Sequence, residues 1–97
     1  MNRFELARRA LGDLREIWEF VSQDNFAAAD RVLEDFHRTF GQLASMPRMG
    51  HKREDLTGRD VLFWPLHSYL IVYKPSDPLY VVRVIHAKRD VKGLLNR

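Results

Sequence analysis

Apolar residues in this chain repeat with two different periods, and the change from one to the other bounds the fold. In the first half, Leu11, Leu14, Ile17, Trp18 and Val21 recur at three- and four-residue steps. That spacing places them on one helical face. Arg8, Arg9, Asp13, Arg15, Glu16 and Glu19 fill the other side. Ser22-Gln23-Asp24-Asn25 breaks the pattern with residues that favour turns, and Asp24 or Asn25 can cap the next helix. Ala27-Ala28-Ala29 then favours helix, with Ala29, Val32 or Leu33, Phe36, Phe40 and Leu43 as its buried face, and Pro47 and Gly50 stop it. A turn this short makes the two helices an antiparallel hairpin.

After the polar loop PRMGHKREDLTGRD at residues 47–60, the period is that of strands. Val61–Trp64, Tyr69–Tyr73 and Tyr80–Ile85 are bulky, β-prone runs. Pro65–Ser68 and Pro75–Pro78 separate them, and links of that length join antiparallel neighbours. Arg3-Phe4-Glu5-Leu6 alternates as a short opening strand, and Val91, Leu94 and Leu95 give a short closing helix an apolar side that Gly93 is expected to weaken. The expected class is α+β, in a single domain over residues 1–97: an N-terminal strand, a helical hairpin packed on a small, mainly antiparallel sheet, and a short C-terminal helix.

Charge is unevenly distributed. Residues 1–23 carry four basic and four acidic side chains, net zero; residues 24–46 carry two and four, net −2; residues 47–97 carry ten and five, net +5. The basic half suggests an anionic partner surface. With no cysteine there is no disulfide or thiolate site, and His37, His51, His67 and His86 lack zinc-ligand spacing. No phosphate-binding glycine loop or nucleophile-elbow serine occurs, so neither metal nor cofactor is expected. The opening MNRFELARRALGDL lacks the apolar run of a secretory signal, and no segment has the roughly 20 apolar residues of a membrane span. A cytoplasmic location without membrane contact is the expectation.

Five stretches in this order carry a family resemblance. They are Ala10–Trp18, Asp24–Ala29, the Phe40–Gly50 stretch ending in proline and glycine, Tyr69–Tyr73, and Val82–Asp90 with its Arg89-Asp90 step. Together they resemble the RelE/ParE toxins of type II toxin–antitoxin systems. Phe26 stands where such proteins often place proline, and Ala87 where glycine is common.

The resemblance leaves two chemistries open. ParE-like members inhibit DNA gyrase by binding it; RelE-like members cut messenger RNA on the ribosome. RNA cleavage through the 2′-hydroxyl needs a proton acceptor, a donor for the leaving oxygen and cations for the charged phosphorane. The candidates are Arg59, Arg83, His86 and Arg89. The set is incomplete against the resemblance, which implies an aromatic hydroxyl near the C-terminus in RelE-like members; here no tyrosine follows Tyr80. Strand alternation further puts Arg83 and His86 on opposite faces. Helix one, helix two and the Arg-Asp ending look closer to ParE, which implies a gyrase-inhibiting toxin rather than an enzyme. The residues expected at the target are Arg83, His86, Lys88, Arg89, Asp90 and Lys92, on a C-terminal segment running to Arg97. Arg83 within an apolar strand requires either an internal carboxylate or a functional surface. The resemblance also implies a cognate antitoxin with an acidic tail, expected at Leu14, Trp18, Trp64 and Tyr73, and contact with operator DNA only through that antitoxin.

Overall fold

The computed structural model describes residues 3–96. Its elements are β1 (Phe4–Leu6), α1 (Arg8–Ser22), α2 (Phe26–Ser45), a 3-10 turn (Pro47–Met49), β2 (Leu62–Leu66), β3 (Tyr69–Lys74), β4 (Leu79–His86) and α3 (Val91–Leu95). Asn25 is the residue that caps α2: its side-chain oxygen accepts from the Ala28 amide at 2.9 Å. Ala10 and Ile17 on α1, and Ala29, Phe36, Phe40 and Leu43 on α2, turn inward as their spacing requires.

The sheet has the order β1-β4-β3-β2. β2, β3 and β4 are antiparallel, while β1 runs parallel to β4 along Leu79–Val81. Sequential strands joined by short links pair with each other; the first strand, separated from β4 by most of the chain, fills the remaining edge. Both faces are covered. Ile71, Tyr73, Leu79, Val81 and Val84 pack under the helical hairpin, and Val61, Phe63, Val72 and Ile85 pack under Val91, Leu94 and Leu95 of α3.

Three expectations need correction. Pro65 lies inside β2, opposite Leu70, rather than ending it. An edge strand tolerates proline because no ladder bond is lost on its open side. The turn between β2 and β3 shrinks to His67 and Ser68, and His67 takes a left-handed φ of 54°. Gly93 does not merely weaken α3. The Asp90 carboxylate caps that helix by accepting from the Gly93 amide at 3.1 Å, and a Cβ at residue 93 would overlap the same carboxylate. Tyr73, expected among antitoxin contacts, is wholly buried. Its hydroxyl donates to the Pro47 carbonyl at 2.7 Å and accepts from the Gly50 amide at 2.9 Å, so it anchors the loop after α2 instead of facing a partner.

Candidate functional site

β1 ends at Leu6, and the Ala7 amide makes the last bond on that side, to the Val81 carbonyl at 2.9 Å. Beyond that point the outer edge of β4 has no strand beside it, and α1 supplies the missing acceptor. The Asp13 carboxylate accepts from the Val84 amide at 2.8 Å and from Nε and Nη2 of the Arg83 guanidinium at 2.9 and 3.0 Å. Asp13 and Arg83 are each only 9% exposed. The bond to Asp13 holds the Arg83 guanidinium above its ordinary pKa, with the charges of Asp13 and Glu16 adding to the effect. Of the two readings open for Arg83, the internal carboxylate is the one observed. Removing either partner would strand a buried charge, a loss of about 3–5 kcal/mol in comparable settings.

A bulge helps Arg83 reach that partner. Val72 pairs with Arg83 but Tyr73 pairs with Val81, so Val82 is the extra residue on β4. Arg83 therefore shares a register with Val72, on the α3 side, and its side chain passes the open strand edge to reach α1. His86 pairs with Tyr69 on the hairpin side. The expected separation of Arg83 from His86 is thus present in the fold.

His86 lies in a cleft of about 300 Å³ between α1 and the sheet, lined by Asp13, Glu16, Ile17, Phe20, Tyr69, Val84, His86 and Arg89. Its Nδ1 accepts from the Lys88 amide at 3.1 Å, which leaves Nε2 to carry the proton in the neutral ring. The ring stands edge-on to Tyr69 at a centroid distance of 5.1 Å. Partial burial raises the Tyr69 phenol above its ordinary pKa. Glu16 in this wall opposes an RNA phosphate, while Asp13 is committed to Arg83. Lys88, Arg89, Asp90 and Lys92 are exposed beside the cleft and in the first turn of α3, although Asp90 is committed to capping. Arg59 is elsewhere: it donates to the Leu95 carbonyl at 3.3 Å, on the α3 side of the sheet. The four residues considered for nuclease chemistry are thereby divided between two clefts, His86 and Arg89 in one and Arg59 and Arg83 in another on the α3 side, where Arg83 is held by Asp13.

The expected antitoxin contacts are also spread. Leu14 is half-buried in the hairpin core. Trp18 is half-buried, donates to Asp30 at 2.9 Å and packs on the exposed ring of Phe26. Leu11, Phe20 and Phe26 are 52%, 69% and 68% exposed: Leu11, placed by its spacing on the apolar stripe of helix one, meets solvent, Phe20 lines the cleft that holds His86, and Phe26 lies against Trp18. Trp64 lies on the edge strand β2, stacked with His51. Asp13 was also missed as a functional position. Its signal was available: it lies three residues after Ala10 and four before Ile17, inside the buried stripe, in a chain with an arginine inside an apolar strand.

Among the described residues, no helix is long and apolar enough to cross a membrane, and no three His, Asp or Glu side chains are grouped to hold a metal ion. Compared with known proteins, the chain finds no match among curated sequences. A solved structure described as the chromosomal ParDE TA system from P. aeruginosa is similar to it at a TM-score of 0.72, with 17% identity, covering 89% of this chain and 96% of that one. At that identity the likeness shows the fold. The sequence model of the ParE toxin of type II toxin–antitoxin systems, parDE, matches residues 4–91. With nearly the whole chain matched, this protein belongs to the ParE toxin family of type II toxin–antitoxin systems.

Proposed function

We propose that this ParE-family toxin acts in the cytoplasm by binding DNA gyrase and blocking its cycle, and that a cognate antitoxin neutralises it by direct binding. The dispersal of the nuclease candidates is the observation that carries the preference for binding over cutting. Arg83 is occupied by Asp13, Arg59 bonds the end of α3, and the cleft holding His86 also holds Asp13 and Glu16. Concerted proton transfer and phosphorane stabilisation need those groups to converge on one atom. Binding needs only an accessible surface, and Lys88, Arg89 and Lys92 supply exposed cations beside it.

The antitoxin surface is the outer face of the helical hairpin around Trp18 and Phe26, with Leu14 half-buried beside them and Trp64 on the β2 edge as a second anchor. An amphipathic helix can seat on the first; at the second, where His51 already bridges Phe63 and Pro65 offers no amide, Trp64 serves as a side-chain anchor. Operator DNA is then reached through the antitoxin.

Expression of the toxin, followed by gyrase supercoiling assays and mapping of messenger ends, tests this reading. Inhibited supercoiling with intact messages is expected. Codon-phased cleavage with normal supercoiling would overturn it in favour of a ribosome-dependent nuclease.

A further inference from the structure

A second cleft, of about 380 Å³, opens on the α3 side of the sheet, and nothing in the toxin reading uses it. Its lining includes Arg9, Arg59, Lys74 and Arg83, and none of its lining residues is acidic. Arg83 is neutralised by Asp13, which leaves three uncompensated cations. Arg9 and Lys74 are exposed and join no salt bridge among the described residues. Lys74 instead lies over the Tyr80 ring at 5.8 Å. Val82, Leu94 and Leu95 supply an apolar wall.

The start of α1 adds to this field. Ala7, its N-cap, makes no side-chain bond to the free amides, and the first turn holds no acidic residue. It holds Arg8 and Arg9 instead, which place positive charge at the positive end of the helix dipole. That arrangement works against folding stability and is relieved by a bound anion. Ala7 and Arg9 line the cleft, so the uncapped turn and the side-chain cations act on the same space.

We infer that this cleft binds a phosphorylated ligand of nucleotide size, its phosphate held by Arg9, Arg59 and Lys74 at the start of α1 and its base against Val82, Leu94 and Leu95. Guanidinium groups and helix N-termini both suit phosphate oxygens, and a volume of this order lies at the small end of ligand sites. A bare phosphate would leave the apolar wall unused. An acidic peptide would match the charge but gains nothing particular from a compact cleft closed by α3.

The test is calorimetric titration of the intact toxin at low ionic strength with a nucleoside monophosphate, inorganic phosphate and a glutamate-rich peptide. The nucleotide should bind most tightly, and the double variant Arg9→Gln with Lys74→Gln should weaken it by about tenfold or more while the circular dichroism spectrum is unchanged. Both positions are exposed, so loss of folding is not the expected outcome. Arg59→Gln, measured separately, should weaken binding as well. Equal affinity for inorganic phosphate, tighter binding of the peptide, absence of nucleotide binding, or indifference to the double variant would each overturn the assignment. Gyrase inhibition is read in a separate assay, so this inference can fail without affecting the proposed function.

Discussion

The two faces of the sheet are closed by very different amounts of structure. The hairpin face is covered by two helices of 15 and 20 residues, and at its margin the Asp13–Arg83 pair seals the open edge of β4. The other face is covered by the five residues of α3 and a loop tied to it by side-chain bonds. Thr57 bonds Asn96 at 3.0 Å, and Asn96 donates to the Leu56 carbonyl at 2.9 Å. The difference teaches that stability and exposed charge are separated in this small protein: charge that is buried is paired under α1, and charge available to a ligand or target gathers around α3.

The largest expected effect breaks the first region. Asp13→Ala should destabilise the fold by about 3–5 kcal/mol, because it leaves Arg83 buried without a partner and the Val84 amide without an acceptor. Denaturant unfolding measures this, and Asp13→Leu combined with Arg83→Met should recover the part of the loss due to the stranded guanidinium, while the Val84 amide stays without its acceptor. A double variant as unstable as the single one would contradict the account of the pair.

A smaller effect is expected where the loop joins the core. Tyr73→Phe removes two hydrogen bonds and leaves the Gly50 amide and Pro47 carbonyl unpartnered, a cost of about 1–3 kcal/mol by urea titration. Burial also raises the Tyr73 phenol above its ordinary pKa. The neutral form is favoured in the folded state, so this contribution is complete below the unfolded tyrosine pKa near 10 and is lost as pH rises through the raised value. Alkaline unfolding should therefore be shifted in Tyr73→Phe, and an unchanged alkaline profile would count against the buried phenol. Asn25→Ala should cost about 1 kcal/mol through loss of the α2 cap, read as a lower midpoint in the same titration.

The smallest effect lies on the surface. Asp35 is held below its ordinary pKa by hydrogen bonds from Arg38 and then His67. Its contribution is present above the unfolded carboxylate pKa and is lost as pH falls through the lowered one. Arg38→Gln should move the Asp35 carboxyl resonance midpoint upward in an NMR titration; an unmoved midpoint would assign the shift elsewhere.

The hairpin and the β-prone runs were legible because each depends on local periodicity: Phe36, Phe40 and Leu43 point inward by spacing alone. Links of a few residues fixed the antiparallel pairs. The parallel placement of β1 was not legible, since its partner Leu79–Val81 lies more than 70 residues away and no local rule selects that edge. Pro65 misled because its effect depends on whether a strand is central or at an edge, which only the full sheet order decides. For the site, the anomaly of Arg83 was visible in the sequence, whereas its partner required the three-dimensional crossing of α1 over β4. Tyr73 was misassigned because an aromatic in a strand reads the same whether its hydroxyl meets solvent or a buried loop.

The most direct test of this division of labour is a gyrase supercoiling assay on two folded variants of the toxin. One carries Asp13→Leu with Arg83→Met; the other carries Lys88→Gln, Arg89→Gln and Lys92→Gln. The account predicts that the first still inhibits supercoiling and the second does not. Loss of inhibition in the first with full inhibition in the second would place the target contact at the buried pair and contradict it.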